Sequence, residues 1–308
     1  MSTEPVSTEP LRTEPLSDDG TGTARTHTVS RPRPGRAAAL SRSAAAYLVL
    51  CAGALLAVAP LLLSAATALK TPAQFAAGSP LAPPNPVTWS NFHTVLNHGV
   101  GRAVLVTALM TVFVTGGQLI TAVLAAYAFA RLDFPGRDAL FWGYLGTMMV
   151  PPIVTLIPLY LMFAHLGWLN TFWALVIPFV FGSPYAIFLL RQYFRSIPEE
   201  LLDAARLDGA HTLDTLVHVI VPVSRPILAT LTLITVVSQW NNFLWPLVAS
   251  SGDRWQVLTV ATANLQTQYN TQWTLVTAAT TLAVVPLILL FLVFQRQVLR
   301  SIAWTGLK

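Results

Sequence analysis

The sequence predicts an all-α integral membrane protein with six transmembrane helices, and three observations carry that prediction. Only 10% of the 308 residues are charged and 54% are hydrophobic, whereas an average soluble domain is about 25% charged. Asp, Glu, Lys and Arg are absent from five long runs, residues 43–69, 103–130, 139–190, 226–252 and 255–295. The cations also alternate in abundance from one connecting segment to the next.

A helix needs about 20 apolar residues to cross the hydrocarbon core. The run 139–190 is too long for one helix and has a break at 167–170, so it divides into two. The last run opens with a polar part, Asn264 to Gln272, so only its second half crosses. The spans are therefore 44–69, 104–130, 140–165, 172–190, 227–250 and 273–295. With the N-terminus in the cytoplasm, fifteen cations fall inside and three, Lys70, Arg102 and Arg254, outside. Such a bias sets orientation and puts both termini in the cytoplasm.

Taking the segments in order, residues 1–42 read as a disordered cytoplasmic tail. Thr-Glu-Pro recurs at Thr3, Thr8 and Thr13, and large apolar residues are few. Such a segment cannot bury enough surface to offset its ordering entropy. Residues 43–308 form the six-helix membrane domain. Its first apolar run is about twice the length of a signal-peptide core, usually 7–15 residues, so it reads as an uncleaved span. Cys51 is the single cysteine and excludes an intramolecular disulfide. The first outer loop, 70–102, places Trp89, Phe92 and Leu96 on one helical face, as in a short helix lying in the membrane interface or a packed loop. Prolines occur within the spans at Pro60, Pro151, Pro152, Pro158, Pro178, Pro184, Pro246 and Pro286. Each removes a backbone donor and can kink its helix.

Several chemistries are excluded. With only Lys70 and Lys308 as lysines, neither after a Gly-rich loop, the chain has no Walker A sequence for nucleotide phosphates. No Cys/His spacing suits zinc, and no G-x-S-x-G elbow suits acyl transfer. His211, Asp214 and His218 read as a solvated helix face. The spans hold no acidic or basic residue, whereas proton-coupled carriers keep ionisable groups inside the bilayer; His165 lies at a predicted outer end. Among polar residues deep in a span, Gln239, Asn241 and Asn242 are candidate substrate contacts. Trp240 and Trp245 beside them are candidates to stack on a ring of whatever passes through. The alternative is that the amides bond to neighbouring helices.

The segment 199–222 stands apart, with five charges between Glu199 and Asp208. Burying them in lipid would cost on the order of 12–17 kcal/mol, at about 2.5–3.5 kcal/mol each, so this segment stays in water. Ser196 and Glu199 fit a capping box, with Pro198 in the first turn. Leu201, Ala204, Ala205 and Asp208 share one face, and Gly209 closes the helix. Thr212 caps a second helix with an apolar stripe of Leu213, Leu216, Val217 and Ile220, stopped by Pro222. Such a pair of helices packs either on its own bundle or on a partner.

Asp203-Ala204-Ala205, then Gly209, then Val219-Ile220-Val221-Pro222 resembles the "EAA" loop of permease subunits in binding-protein-dependent ABC importers. That pattern is E-A-A, three residues, G, nine residues, then I-x-L-P. The spacing agrees throughout, with Asp for Glu, Val for Ile and Val for Leu. "AAYAFARLDFPGR", "FLLRQYFRSIPEELLDAARLDGA" and "WNNFLWPL" are similar to carbohydrate importers of the maltose type, specifically the second, shorter, MalG-like permease. The similarity runs over about residues 44–300, and the ending "RSIAWTGLK" departs from the family's Gly-rich one.

The resemblance implies a type I ABC importer permease fold and ATP-driven translocation of a sugar, with no chemistry on the substrate. It implies a heterodimer with a second permease, two copies of a cytoplasmic ATPase that uses ATP and Mg, and an extracytoplasmic solute-binding protein. No cofactor is expected on this chain. The coupling loop, 196–222, would act through Glu200, Asp203, Ala204, Ala205, Asp208, Gly209 and Pro222. The rivals are a same-fold permease for a non-sugar solute and a self-sufficient secondary carrier.

Overall fold

The computed structural model describes residues 36–79, 81–268 and 272–305, all of them helix or connecting loop. It divides into two units, residues 1–55 and 56–308. In the first, the described part is the beginning of α1 (Arg36–Ala68), and its side chains from Ala45 to Leu55 are exposed. Residues 36–42 belong to this helix rather than to the expected tail, because alanine-rich sequence such as Ala37-Ala38-Ala39 favours helix. The rest of the Thr-Glu-Pro tail lies outside the described residues.

In the second unit, α2 (Pro72–Ala77) and α3 (Ser90–Val95) follow the end of α1. Between α3 and α4 (Gly101–Arg131) the chain kinks within Leu96–Val100, where His98 and Gly99 leave helical geometry and Gly99 has φ +86°. Then come α5 (Arg137–Gly146), α6 (Pro152–His165), α7 (Phe172–Val176) and α8 (Pro184–Arg195). The α9 helix (Glu199–Leu207) leads into α10 (Thr212–Thr215), a π-helical turn and α11 (Val221–Val223). The chain ends with α12 (Arg225–Trp240), α13 (Leu244–Ala249), α14 (Leu258–Gln268) and α15 (Trp273–Thr305).

The α4 helix is the spine, contributing to all three buried clusters. Its first third packs with α14 and α15 around Ala103, Leu258 and Ala279. Its middle packs with α6, α7 and α13 around Met110, Phe163 and Trp245. Its last third packs with α8 around Ala126, Leu190 and Phe194.

Among the described residues, three helical segments are long and apolar enough to cross a membrane: Ala45–Ala68, Ser90–Arg131, which carries the kink at His98 and Gly99, and Trp273–Gln295. They coincide with the first, second and sixth expected spans. The other three expected spans are broken. The third bends by 97° between Met149 and Pro152. A residue before proline avoids the helical region, and Pro151 and Pro152 succeed one another there. The fourth is split between the short α7 and α8, which starts at Pro184 with Ser183 as its cap. The fifth stops at Trp240 and resumes at Leu244 after Asn241–Phe243. Pro60, Pro158 and Pro286 lie inside continuous helices, so proline alone did not mark the breaks.

Candidate functional site

Two features are set apart from the packed bundle: a two-helix projection at 196–224 and an uncharged cavity.

The projection departs from its expected caps. Ser196 does not cap α9; its hydroxyl donates to the Tyr193 carbonyl at 2.7 Å and so finishes α8. Pro198 takes the cap position without a side-chain bond. It leaves Glu199 and Glu200 in the first turn, where the helix dipole favours negative charge. At the far end Gly209 has φ +82°. The Ala210 N–H donates to the Ala205 carbonyl and the Gly209 N–H to that of Arg206, both at 3.0 Å. These two bonds form a Schellman motif, which a left-handed glycine allows.

His211, not Thr212, occupies the next cap, and the Asp214 carboxylate accepts from the His211 N–H at 3.1 Å. Pro222 does not stop the helix. The turn widens to π geometry over Leu216–Ile220 and the helix ends at Ser224. Widening accommodates the His218 carbonyl, which faces the proline ring.

The two faces of this projection differ. Leu202, Leu216 and Ile220 are buried against Leu190, Phe194 and Ile197 of the bundle. Leu207, Leu213, Val217 and Leu201 are 89%, 65%, 55% and 45% exposed. The expected apolar stripe is therefore split, half holding the projection to the bundle and half bare. Glu200, Asp203, Ala204, Asp208 and Gly209 are exposed beside the bare leucines, while Ala205 and Pro222 are half-buried. Asp203 pairs with Arg206 at 2.8 Å within α9.

The cavity, about 640 Å³, lies where the three helix breaks meet. Pro152 and Thr155 come from the first break, Phe179, Ser183 and Tyr185 from the second, Gln239, Asn241 and Asn242 from the third. The lining has amides, hydroxyls and apolar groups but no ionisable carboxylate, amine, guanidinium or imidazole. Non-helical backbone at membrane depth survives where it lines a cavity or is buried in protein. The second break is held by α4 and α5. The Gln118 amide donates to the Phe179 carbonyl at 2.8 Å, and the Tyr144 hydroxyl donates to the Gly182 carbonyl. A Cβ on Gly117 would lie 2.7 Å from the Val180 carbonyl oxygen, and one on Gly182 would lie 2.8 Å from the Ala122 backbone. Glycine is required at both places by this close approach.

Gln239, Asn241 and Asn242 do line the cavity. The Asn241 amide donates to Val237 of its own helix at 2.8 Å, and the Asn242 carbonyl accepts from the Thr259 hydroxyl at 2.7 Å. Of the two tryptophans, Trp245 lines the cavity and Trp240 does not. Trp240 is buried and donates from Nε1 to the Ala283 carbonyl at 3.1 Å. Trp245 is 3% exposed, donates to the Ala174 carbonyl at 2.8 Å and meets the Phe163 ring edge-on. A buried indole needs a partner for its N–H, and these two find theirs inside the bundle. The aromatic that sequence reasoning missed is Tyr185, 42% exposed on the cavity wall. Its one signal was the preceding Pro184, which starts α8 and aims its first turn at the break.

Residues 118–304 match the family model described as the binding-protein-dependent transport system inner membrane component. Over 233 residues the chain is 33% identical to the probable ABC transporter permease protein YurM of Bacillus subtilis, covering 72% of this chain and 75% of that protein. It is 30% identical to the arabinooligosaccharides transport system permease protein AraQ of Halalkalibacterium halodurans, covering 73% and 81%. With the sn-glycerol-3-phosphate transport system permease protein UgpE of Yersinia pestis the identity is 31%, covering 83% and 94%. A chain of a bacterial ABC transporter involved in import of the acidic polysaccharide alginate superposes with a TM-score of 0.73 at 27% identity, covering 86% of this chain and 99% of that one.

Proposed function

The chain belongs to the family of binding-protein-dependent transport system inner membrane components, and from that premise we propose that it forms one half of the channel of an ATP-driven importer for a neutral saccharide. It is a multi-pass membrane protein with the permease fold of its family. A second permease completes the channel. Two copies of an ATPase bind ATP and Mg on the cytoplasmic side, where both termini of this chain lie. An extracytoplasmic binding protein delivers the sugar, and this chain performs no chemistry on it.

The observation that carries the reading is the two-faced projection. Leu202, Leu216 and Ile220 tie it to the bundle, while Leu207, Leu213 and Val217 stand bare beside Glu200, Asp203 and Asp208. Exposed apolar side chains rimmed by charge mark a protein contact, and Ala204 and Gly209 let a partner surface approach closely. The ATPase groove is that partner. Gly209 and Pro222 set the shape of the coupling loop. The neutral cavity supports the substrate class. Its volume falls within the range of small-ligand sites, about 300–1,000 Å³, and its amides and hydroxyls can exchange hydrogen bonds with sugar hydroxyls. Gln239, Asn241, Asn242 and Tyr185 are the substrate contacts this chain offers.

The test is reconstitution of the complex with its second permease, ATPase and binding protein in liposomes. ATP hydrolysis is expected to rise with binding protein loaded by neutral arabinooligosaccharides and to stay at its basal rate with glycerol 3-phosphate. Stimulation by the phosphate alone would overturn the neutral-saccharide assignment. Hydrolysis indifferent to every loaded binding protein would overturn the importer reading.

A further inference from the structure

At the end of the bundle that carries the projection, α4 and α8 exchange arginines. Arg131, the last residue of α4, donates from Nη2 to the carbonyls of Phe194 and Ile197 at 2.6 and 2.5 Å. Phe194 lies in the last turn of α8, and Ile197 lies two residues before α9. Arg191 of α8 runs the other way. Its Nε donates to the Phe129 carbonyl in the last turn of α4 at 3.2 Å. Its Nη2 pairs with Asp138, in the first turn of α5, at 3.0 Å, and its guanidinium lies 4.0 Å from the centre of the Phe141 ring. Arg137 adds a further tie, pairing with Asp133 at 2.8 Å and with Asp138 at 3.4 Å.

The last carbonyls of a helix have no partner within it. Here the Phe129 carbonyl of α4 and the Phe194 carbonyl of α8 each accept a charge-assisted bond from the other helix's guanidinium; Arg131 uses one nitrogen for both its bonds, and Arg191 uses two nitrogens of its fork. Arg191 is buried, so separating the two helix ends would strand a charge away from water, which is strongly unfavourable. Farther along, the same two segments are locked again by Gln118 on the Phe179 carbonyl and by the glycine contacts at Gly117 and Gly182. The first lock touches the chain entering the projection. The second holds the break that forms one wall of the cavity.

We infer that this arginine clasp joins α4 and α8 into a single lever, by which displacement of α9 reaches the cavity wall at 177–183. Arg131 and Arg191 are positioning residues for transport. The inference rests on the proposed function, in which force from the ATPase enters at the projection.

The experiment follows nucleotide-driven movement at the cavity in the assembled complex. In a Cys51→Ser background, Ser238→Cys on the cavity wall is the sole thiol of this chain. Its maleimide labelling rate is measured with ATP and vanadate and without nucleotide. With the clasp intact the two rates differ. Arg131→Met removes both bonds to the end of α8, and Arg191→Lys keeps the charge and loses the fork. In each, the difference shrinks about tenfold, within the roughly 5–150-fold range typical of coupling between sites, while the complex still assembles and hydrolyses ATP. If Arg191→Lys does not assemble, Asp138→Asn reads the same quantity with a smaller loss. Variants that retain the full difference, including ones recovered only in lower amount, would overturn the clasp and leave the importer reading standing. Equal rates with the clasp intact would overturn that reading and the clasp with it.

Discussion

The projection and the cavity are both polar features of an apolar chain, and they are built in opposite ways. The projection carries five charges in ten residues, from Glu199 to Asp208, folds as regular helix and turns at a glycine that has open space around it. The cavity carries no charge. It is made where helices stop, and the glycines that hold one of those breaks, Gly117 and Gly182, are pressed against neighbouring backbone. Charge thus marks what must remain in water, since lipid burial is prohibitive. Interruption marks what must open within the bilayer, since freed carbonyls there need a cavity or a protein donor. The first kind of feature tolerates substitution as folding and fails as binding. The second fails as folding.

The largest effect expected is at the cavity. Trp245→Ala empties a fully packed indole site and should destabilise the protein by about 3–5 kcal/mol, seen as a large drop in the thermal midpoint of the purified complex. Tyr185→Ala, on the open wall, should leave that midpoint nearly unchanged and weaken sugar transport. A reversal, with Tyr185→Ala unfolding the protein and Trp245→Ala merely slowing transport, would break the distinction between the wall and its support.

The glycines give the next contrast. Gly182→Ala drives a Cβ to within 2.8 Å of the Ala122 backbone. Overpacking of that kind costs about 1–3 kcal/mol and should reduce the amount of folded protein in the membrane. Gly209→Val meets no neighbour within 4 Å but must hold φ near +82°, a strain of about 1–2 kcal/mol confined to the projection. Membrane content should stay close to normal while uptake is lost. Normal uptake by Gly209→Val would show that the turn geometry does not matter to coupling.

The smallest effect is at Asp203. Its pair with Arg206 is exposed on both sides, and exposed pairs contribute about 0–1 kcal/mol. Asp203→Asn should leave thermal stability unchanged and reduce co-purification of the ATPase. Unchanged recovery of the ATPase would remove Asp203 from the contact and leave the bare leucines to account for it.

Much of this was legible beforehand at particular residues. The uncharged runs located α4 at 101–131 and the long helices at 45–68 and 273–295. Gly209 closes α9 where the charge pattern ended, and Leu216 and Ile220 pack as an apolar stripe should. Ser196 was read as a cap because Glu199 stands three residues on, yet its hydroxyl serves the helix it follows. Trp240 and Trp245 looked like sugar platforms because tryptophan beside amides is ambiguous from order alone. Only the packing around Ala283 and Ala174 determines which way the indoles point. Gln118 carried no signal, since its partner, the Phe179 carbonyl, is 61 residues away.

The sequence by itself determined the membrane class, the helices long enough to span, the segment that must stay in water and the motif that ties it to its family. These follow from composition and local spacing, because transfer of charge and apolar surface between water and lipid is settled residue by residue. Tertiary structure alone decided that three interruptions converge on one cavity, that half of an apolar stripe is left bare, and that Arg131 and Arg191 close the ends of each other's helices. These depend on which freed carbonyl meets which donor across the bundle, a matter of distance in space that spacing along the chain does not carry.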